Sequence, residues 1–321
     1  MASHRPARTI AVLAGTVVAA LFGLTYLSYQ RDIQPARERV ASGSQMVQTR
    51  CGPIEYASAG DGAPVLVVHG AGGGYDQGME FGRPLADSGF RVIAMSRFGY
   101  LRTPLPDDAS AAAQADAHAC LLDALQIERA AIIGASAGAP SSMQFALRHP
   151  DRCSALVLLV PAAYVPRPGN APPMKTPAAT EFLFNTALKS DFLFWAATRF
   201  ARATVTSAIL ATPPRVVENA SAEEQARVQR MMEHILPISP RRLGLLNDAA
   251  VTSSLQRYEL ERIAVPTLAI SLADDLFGTF DGARYTAEHV PRARFIGYPS
   301  GGHVWVGRQK EVMAEIAAFL K

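Results

Sequence analysis

The chain has 321 residues, a net charge of only +3, and 49% hydrophobic against 18% charged residues. This composition suits one large packed domain, or a core with an insert, and excludes a disordered chain. Because the net charge is small and no long basic run occurs, the sequence gives no support to nucleic-acid binding.

The first 44 residues are predicted to be a signal anchor and linker. No charged residue occurs between Arg8 and Arg31, and the apolar run between them is long enough, as a helix, to cross a bilayer. The run continues past Val18-Ala19-Ala20, where small residues would suit cleavage. We therefore favour an uncleaved anchor, with the rest of the chain in the periplasm or outside the cell, over secretion after signal cleavage. The charged segment from about Gln30 to Ser44 is predicted to be a solvated spacer.

Residues 45–165 and 251–321 are predicted to be the two parts of one α/β core. Short apolar runs indicate strands buried on both faces, and helical segments alternate with them, which is typical of a parallel, doubly wound sheet. One or two short strands are predicted first, and the apolar runs then follow at 64–68, 90–95, 130–135, 155–160, 265–270 and 293–298.

Residues 166–250 are predicted to be a helical insert between the two parts. A stretch rich in Pro and Gly opens it, and no strong strand signal follows. Its aromatic residues suit either the core of the insert or an apolar lid over a pocket; they are Phe182, Phe184, Phe192, Phe194, Trp195 and Phe200.

Three cysteines, Cys51, Cys120 and Cys153, are too few and too scattered for a disulfide framework or a zinc site. The sequence is compatible with one disulfide, formed by any pair, and equally with three buried thiols.

A nucleophile elbow is indicated by Gly134-Ala135-Ser136-Ala137-Gly138, which follows an apolar strand and opens a helix. A serine on such a tight turn projects its hydroxyl from the sheet edge, and flanking glycines avoid clashes because they lack Cβ. The N-terminus of the following helix favours developing negative charge nearby.

Candidate acidic and basic partners for this serine follow two further strands. Asp274-Asp275 follows one strand and Gly301-Gly302-His303 follows the last one. Because ligands bind at the C-terminal edge of open α/β sheets, these side chains are expected to meet Ser136. His303 is the best candidate base, since its loop is free to present the ring, whereas the other histidines lie in or beside helices, in the insert, or in the His69-Gly70 segment.

On these motifs the chain resembles the α/β-hydrolase superfamily, specifically its serine-nucleophile members with a helical cap, from about Gly52 to the C-terminus. The resemblance implies a mostly parallel eight-stranded sheet and the order nucleophile, acid, base. It assigns Ser136 as the nucleophile, Asp275 as the acid and His303 as the base. Asp274 becomes the acid if the loop register shifts by one residue.

The resemblance also implies an oxyanion hole formed by the backbone N–H groups of Ala71 and Ala137, with His69 shaping the loop. The chain departs from the family pattern at two positions. Leu272 stands where the acid loop usually begins with Gly, and Ser96-Arg97-Phe98-Gly99-Tyr100 replaces the commoner Asp-Arg-x-Gly in the pocket wall.

The expected reaction is hydrolysis of a carboxylic ester, or a related small acyl substrate, through an acyl-serine intermediate without metal or organic cofactor. A carbon–carbon bond hydrolase of the same fold and a non-catalytic, membrane-tethered binding protein are the alternatives. The expected partners are a small-molecule acyl substrate and, through the N-terminal helix, a membrane. No sequence feature indicates an oligomeric state.

Overall fold

A central sheet organises the computed structural model, which describes residues 5–166 and 186–321. Its eight strands are β1 (Gln45–Thr49), β2 (Gly52–Ala59), β3 (Ala63–Val68), β4 (Phe90–Met95), β5 (Ala130–Ala135), β6 (Cys153–Leu159), β7 (Thr267–Leu272) and β8 (Ala293–Tyr298). They lie in the order β1-β2-β4-β3-β5-β6-β7-β8. Strand β2 is antiparallel to both of its neighbours, and all the remaining neighbouring pairs are parallel. The predicted mostly parallel, eight-stranded sheet is confirmed.

The described helices are α1 (Arg5–Ser42), α2 (Tyr75–Asp87), α3 (Ala111–Ala124), α4 (Ala139–Arg148), α5 (Asp191–Phe200), α6 (Arg202–Ala208), α7 (Pro214–Glu218), α8 (Ala222–Glu233), α9 (Arg242–Ser253), α10 (Thr279–His289) and α11 (Gln309–Leu320). Helices α3, α4 and α10 cover one face of the sheet, and α2 and α11 cover the other. In β3, Leu66 and Val68 enter the first core and Val65 and Val67 the second. Because both faces are covered, the strand is one unbroken apolar run.

Between β6 and β7 the described chain is helical and forms a cap, which we define as α5 to α9 with their connecting turns. The cap has an apolar core of its own, which includes Phe194, Trp195, Val205 and Met232. Phe182 and Phe184, predicted within the insert, lie outside the described residues.

The prediction of a solvated spacer after the apolar run, from about Gln30 to Ser44, is wrong, because helix α1 includes most of this segment. The helix continues to Ser42, and Tyr29, Ile33 and Ala36 are buried against the cap. These three positions follow the spacing i, i+4, i+7 and therefore share one helix face. The charged residues between them lie on the other faces, so the segment packs although it is polar overall.

The first half of α1 has the opposite character. Its large apolar side chains from Val12 to Leu27 are exposed, and the helix is long and apolar enough to cross a membrane. An apolar N-terminal helix of this kind is compatible with a signal anchor or a signal peptide.

One disulfide joins Cys51, in the turn between β1 and β2, to Cys120 on α3. Cys153, the first residue of β6, is buried as a free thiol. The sequence left this pairing open.

Candidate active site

The serine of the predicted elbow has a strained backbone. Ser136 directly follows β5 and has a φ of 49°, in the left-handed region that favours glycine. A Cβ on Gly134 would lie 2.5 Å from Ser142 Oγ, and one on Gly138 would lie 2.6 Å from the carbonyl oxygens of Val68 and His69. The two glycines are therefore required for α4 to pack this close to the sheet.

Ser136, His303 and Asp275 form one hydrogen-bonded chain. His303 Nε2 lies 2.9 Å from Ser136 Oγ, and His303 Nδ1 lies 2.8 Å from Asp275 Oδ2. In this geometry the serine O–H donates to Nε2 while Nδ1–H donates to the carboxylate. Phe277 packs edge-on against the imidazole, with ring centroids 4.9 Å apart. The three residues sit in loops after β5, β7 and β8, the C-terminal edge that the sequence analysis expected.

Asp275 is held as a carboxylate by several donors. Burial alone would raise the pKa of Asp275, but the adjacent His303 and hydrogen bonds from His303, the Thr279 hydroxyl and the Phe277 N–H lower it below the usual value. The buried side chain is therefore a charged acceptor that orients the imidazole.

Asp274 has different partners, although it is adjacent. Its carboxylate accepts hydrogen bonds from Ser300 Oγ at 2.7 Å, Gly301 N at 3.0 Å and Gly302 N at 2.7 Å. It thus braces the loop that carries His303 and makes no described contact with the imidazole itself.

The loop after β3 lies against the serine. A Cβ on Gly70 would lie 3.1 Å from Ser136 Cβ. Ala71 lines the same cavity as Ser136 and His303, and Ala137 directly follows the serine in a short 3₁₀ turn. Ala71 and Ala137 thus both lie near Ser136, and their role as oxyanion donors stays a prediction.

His69 is a structural residue in this loop. It is fully buried, its Nδ1–H donates to Gly70 O at 2.7 Å, and its Nε2 accepts from Arg97 N–H at 3.0 Å. Burial and the nearby Arg97 guanidinium hold the pKa of His69 well below its usual value. The neutral ring fixes the loop, as the resemblance implied.

A buried ion pair behind this loop was not predicted. Arg97 forms two hydrogen bonds to Asp248 of α9, at 2.6 and 2.7 Å, and also contacts the carbonyl oxygens of His69 and Gly70. The Tyr100 hydroxyl donates to Asp248 at 2.5 Å and accepts from Gly72 N at 3.2 Å. Arg97 and Tyr100 belong to the segment that the sequence singled out, but their partner is 151 residues away from Arg97.

The serine opens into an apolar cavity between the core and the cap. The cavity holds about 770 Å³ of empty space, its mouth included. Most of its walls are aliphatic or aromatic. Leu188, just before α5, lines it, and the cap contributes Ile209, Leu210, Met231, Ile235, Ile238 and Leu245. Among the described lining residues, the polar side chains are those of Gln77, Ser136 and His303, with the indole of Trp305.

The family model of the alpha/beta hydrolase fold matches residues 63–306. The chain belongs to the α/β-hydrolase fold family.

Several relatives of this α/β hydrolase are known. It is 28% identical over 268 residues to the uncharacterised hydrolase YcgS of Bacillus subtilis, covering 80% of this chain and 91% of that one. It is 38% identical over 141 residues to a 2-hydroxy-6-oxononadienedioate/2-hydroxy-6-oxononatrienedioate hydrolase of Paraburkholderia xenovorans, covering 40% of this chain and 47% of that one. An α/β hydrolase fold protein from Nakamurella multipartita has a TM-score of 0.70 and 28% identity, with 86% and 98% coverage. These similarities support a hydrolytic enzyme.

Proposed function

We propose that this α/β hydrolase cleaves a carboxylic ester through an acyl-serine intermediate. The observation that carries the proposal is the hydrogen-bonded chain from Ser136 Oγ through His303 to Asp275. A neutral serine becomes a nucleophile when an adjacent base accepts its proton, and a charged acceptor stabilises the imidazolium that results.

In the proposed reaction Ser136 Oγ attacks the ester carbonyl carbon while its proton passes to His303 Nε2. The N–H groups of Ala71 and Ala137 would stabilise the oxyanion. When the tetrahedral intermediate collapses, the alcohol leaves with the proton from His303 and the acyl group stays on the serine. Water, deprotonated by His303, then attacks the acyl carbonyl, and the acid leaves as Ser136 Oγ regains a proton.

The cavity favours a neutral substrate with an apolar acyl part. Its walls are largely aliphatic, and none of the described lining residues is a lysine or an arginine. Burying a carboxylate without a partner is costly, so a doubly charged substrate fits poorly among the described walls.

Carbon–carbon bond cleavage is the second candidate, because the Paraburkholderia relative is named for a dienedioate substrate. That similarity covers less than half of either chain, and the named substrate carries two acidic groups, which the described cavity walls do not match with a basic side chain. Comparing turnover of apolar esters with turnover of 2-hydroxy-6-oxo-dienedioates distinguishes the two activities.

The serine provides the direct test. Ser136→Ala removes the only proposed covalent handle, so turnover should fall on the order of 10⁴-fold or more. Labelling by a fluorophosphonate probe should disappear while the thermal transition stays within a few degrees of wild type. Near-normal turnover by Ser136→Ala would exclude the mechanism. An unlabelled wild-type chain without activity on any ester would favour a non-catalytic binding protein.

For its location, we propose an uncleaved anchor with the catalytic domain in the periplasm or outside the cell. The exposed apolar half of α1 supports the anchor, and the Cys51–Cys120 disulfide is typical of an oxidising compartment. Secretion after cleavage within the apolar run remains the alternative, and the mass of the mature chain distinguishes the two.

A further inference from the structure

The apolar half of α1 touches the cap. The ring of Phe192, on cap helix α5, lies 6.3 Å from that of Phe22 and 5.2 Å from that of Tyr29, measured between centroids. Phe22 and Tyr29 are two helical turns apart, roughly 10 Å along α1. Helix α5 therefore begins beside the end of the apolar run, and no linker separates it from the segment proposed to cross the membrane.

Helix α5 exposes apolar side chains at both of its ends. Leu193 near its start is 42% exposed, and Phe200 at its last residue is 73% exposed. We call Phe192, Leu193 and Phe200 the α5 surface. Two exposed arginines, Arg199 and Arg202, lie at its C-terminal end, where they suit the anionic phosphates of lipid headgroups.

Aromatic contacts continue from α1 across this surface. Trp195 contacts Tyr29 at 5.7 Å and Phe200 at 6.3 Å, and its indole N–H donates to Asp32 of α1 at 2.9 Å. Tyr29 and Trp195 are buried, so they connect α1 to Phe192 and Phe200 within one packed cluster.

We propose that the α5 surface lies in the headgroup region of the bilayer that α1 spans, and that lipophilic esters pass from this bilayer to Ser136. The second part rests on the proposed esterase function. Leu188 lines the cavity and lies two residues before the N-terminal cap of α5, Ser190, so the surface is close in sequence to a cavity wall. A lipid partner is favoured over a protein because the adjoining half of α1 exposes apolar side chains on all its faces.

The membrane contact is tested by depth-dependent fluorescence. Full-length Phe200→Trp and the control Leu246→Trp, an exposed position on α9, are reconstituted in phosphatidylcholine vesicles with chains brominated near the glycerol end. The two native tryptophans, Trp195 and Trp305, are buried and provide the common background. We expect strong quenching of the added indole at 200 and little at 246. Equal quenching at the two positions, or none at 200, overturns the membrane contact.

The substrate route is tested with two esters. Leu193→Ser/Phe200→Ser should lower kcat/KM about tenfold for a long-chain p-nitrophenyl ester dissolved in the vesicles, because two apolar anchors are lost. The water-soluble p-nitrophenyl acetate should change less than about twofold, since neither residue lines the cavity. The matched control is Leu243→Ser/Leu246→Ser, two exposed positions on α9. Equal losses for both esters, or for both double variants, overturn the route. A wild type that hydrolyses neither ester contradicts the proposed function, while the quenching result still decides the membrane contact.

Discussion

At the scale of residues, Asp274 and Asp275 show how one step along a loop changes the partners of a carboxylate. Asp275 faces the His303 imidazole, whereas Asp274 accepts the N–H groups of Gly301 and Gly302. Adjacent side chains leave a loop in different directions, so only one of the two reaches the ring. Asp275 is buried and accepts from several donors, which suits the proposed acid.

Replacing each aspartate by asparagine distinguishes the role of Asp274 from that of Asp275. Asp275→Asn should lower turnover by roughly 10⁴-fold, because the amide neither stabilises the His303 imidazolium nor holds the neutral ring in its Nδ1–H tautomer. Asp274→Asn should cost at most about a hundredfold, since its oxygens brace only the loop and the amide keeps one acceptor. Steady-state turnover of the two variants on one ester is the measurement. A severe loss in Asp274→Asn with a mild one in Asp275→Asn would reverse the assignment.

Ser136 and Asp275 could be found from the sequence because each follows a strand that is one apolar run, and His303 because it follows a glycine pair after the last strand. Ser136, Asp275 and His303 lie where those strand ends predicted, and they are in contact; their catalytic roles stay predictions. The Arg97–Asp248 pair could not be found in this way, because no local pattern relates a loop after β4 to a polar position on a cap helix.

At the scale of elements, that ion pair joins the cap to the loop beside Ser136. Arg97 and Asp248 are both buried, and Arg97 also holds the carbonyl oxygens of His69 and Gly70. Burial alone would lower the pKa of Arg97, but the Asp248 carboxylate raises it above the usual value, so the guanidinium stays charged. Helix α9 is therefore fastened to the loop by a charge pair that has little access to water.

Asp248→Asn should lower the free energy of unfolding by about 3–5 kcal/mol, because it leaves the Arg97 charge buried without a counterion. The matched control is Asp281→Asn on α10, whose partner Arg284 is exposed, and which should cost at most about 1 kcal/mol. Urea unfolding of the detergent-solubilised protein measures both. Similar losses in the two variants would contradict the view that burial makes the Arg97 pair strong.

The inner strands were predictable from composition, whereas the second half of α1 was not. A strand covered on both faces is apolar throughout, so its composition alone predicts its position. The second half of α1 buries one residue in every three or four, and its charged residues hid this periodicity. The spacing of Tyr29, Ile33 and Ala36 is the signal of the docked helix in the sequence.

At the scale of the whole molecule, α1 contains the proposed anchor in its first half and packs against the cap with its second half. Arg39 donates to Leu236 O at 2.5 Å, and Arg37 lies 3.5 Å from Asp191. With the buried Tyr29 and Ile33, these contacts join the second half of the helix to the cap. The packed part of the molecule therefore includes the second half of α1.

Two truncated chains test the contribution of this second half of α1 to stability. A chain that begins at Ser28 keeps Tyr29, Ile33 and Ala36, the α1 residues that the structure describes as buried. It should dissolve without detergent, with the thermal stability of the full chain. A chain that begins at Ser44 should lose roughly 3 kcal/mol or more, since the Tyr29 and Ile33 side chains no longer cover the cap core. Melting temperatures and ester turnover are measured for both. Identical melting temperatures would mean that the docked half of α1 contributes nothing to stability.

Helix α1 has 38 residues, which gives a rod about 57 Å long. With its apolar half in the membrane, as proposed, a rod docked at its other end holds the cavity at a constant height above the lipid, as a flexible tether would not. On the proposed anchoring, enzyme and substrate meet by diffusion in two dimensions. The quantity that sets the rate is then the mole fraction of ester in the membrane surface, and inert lipid acts as a diluent even when the amount of ester per volume is unchanged.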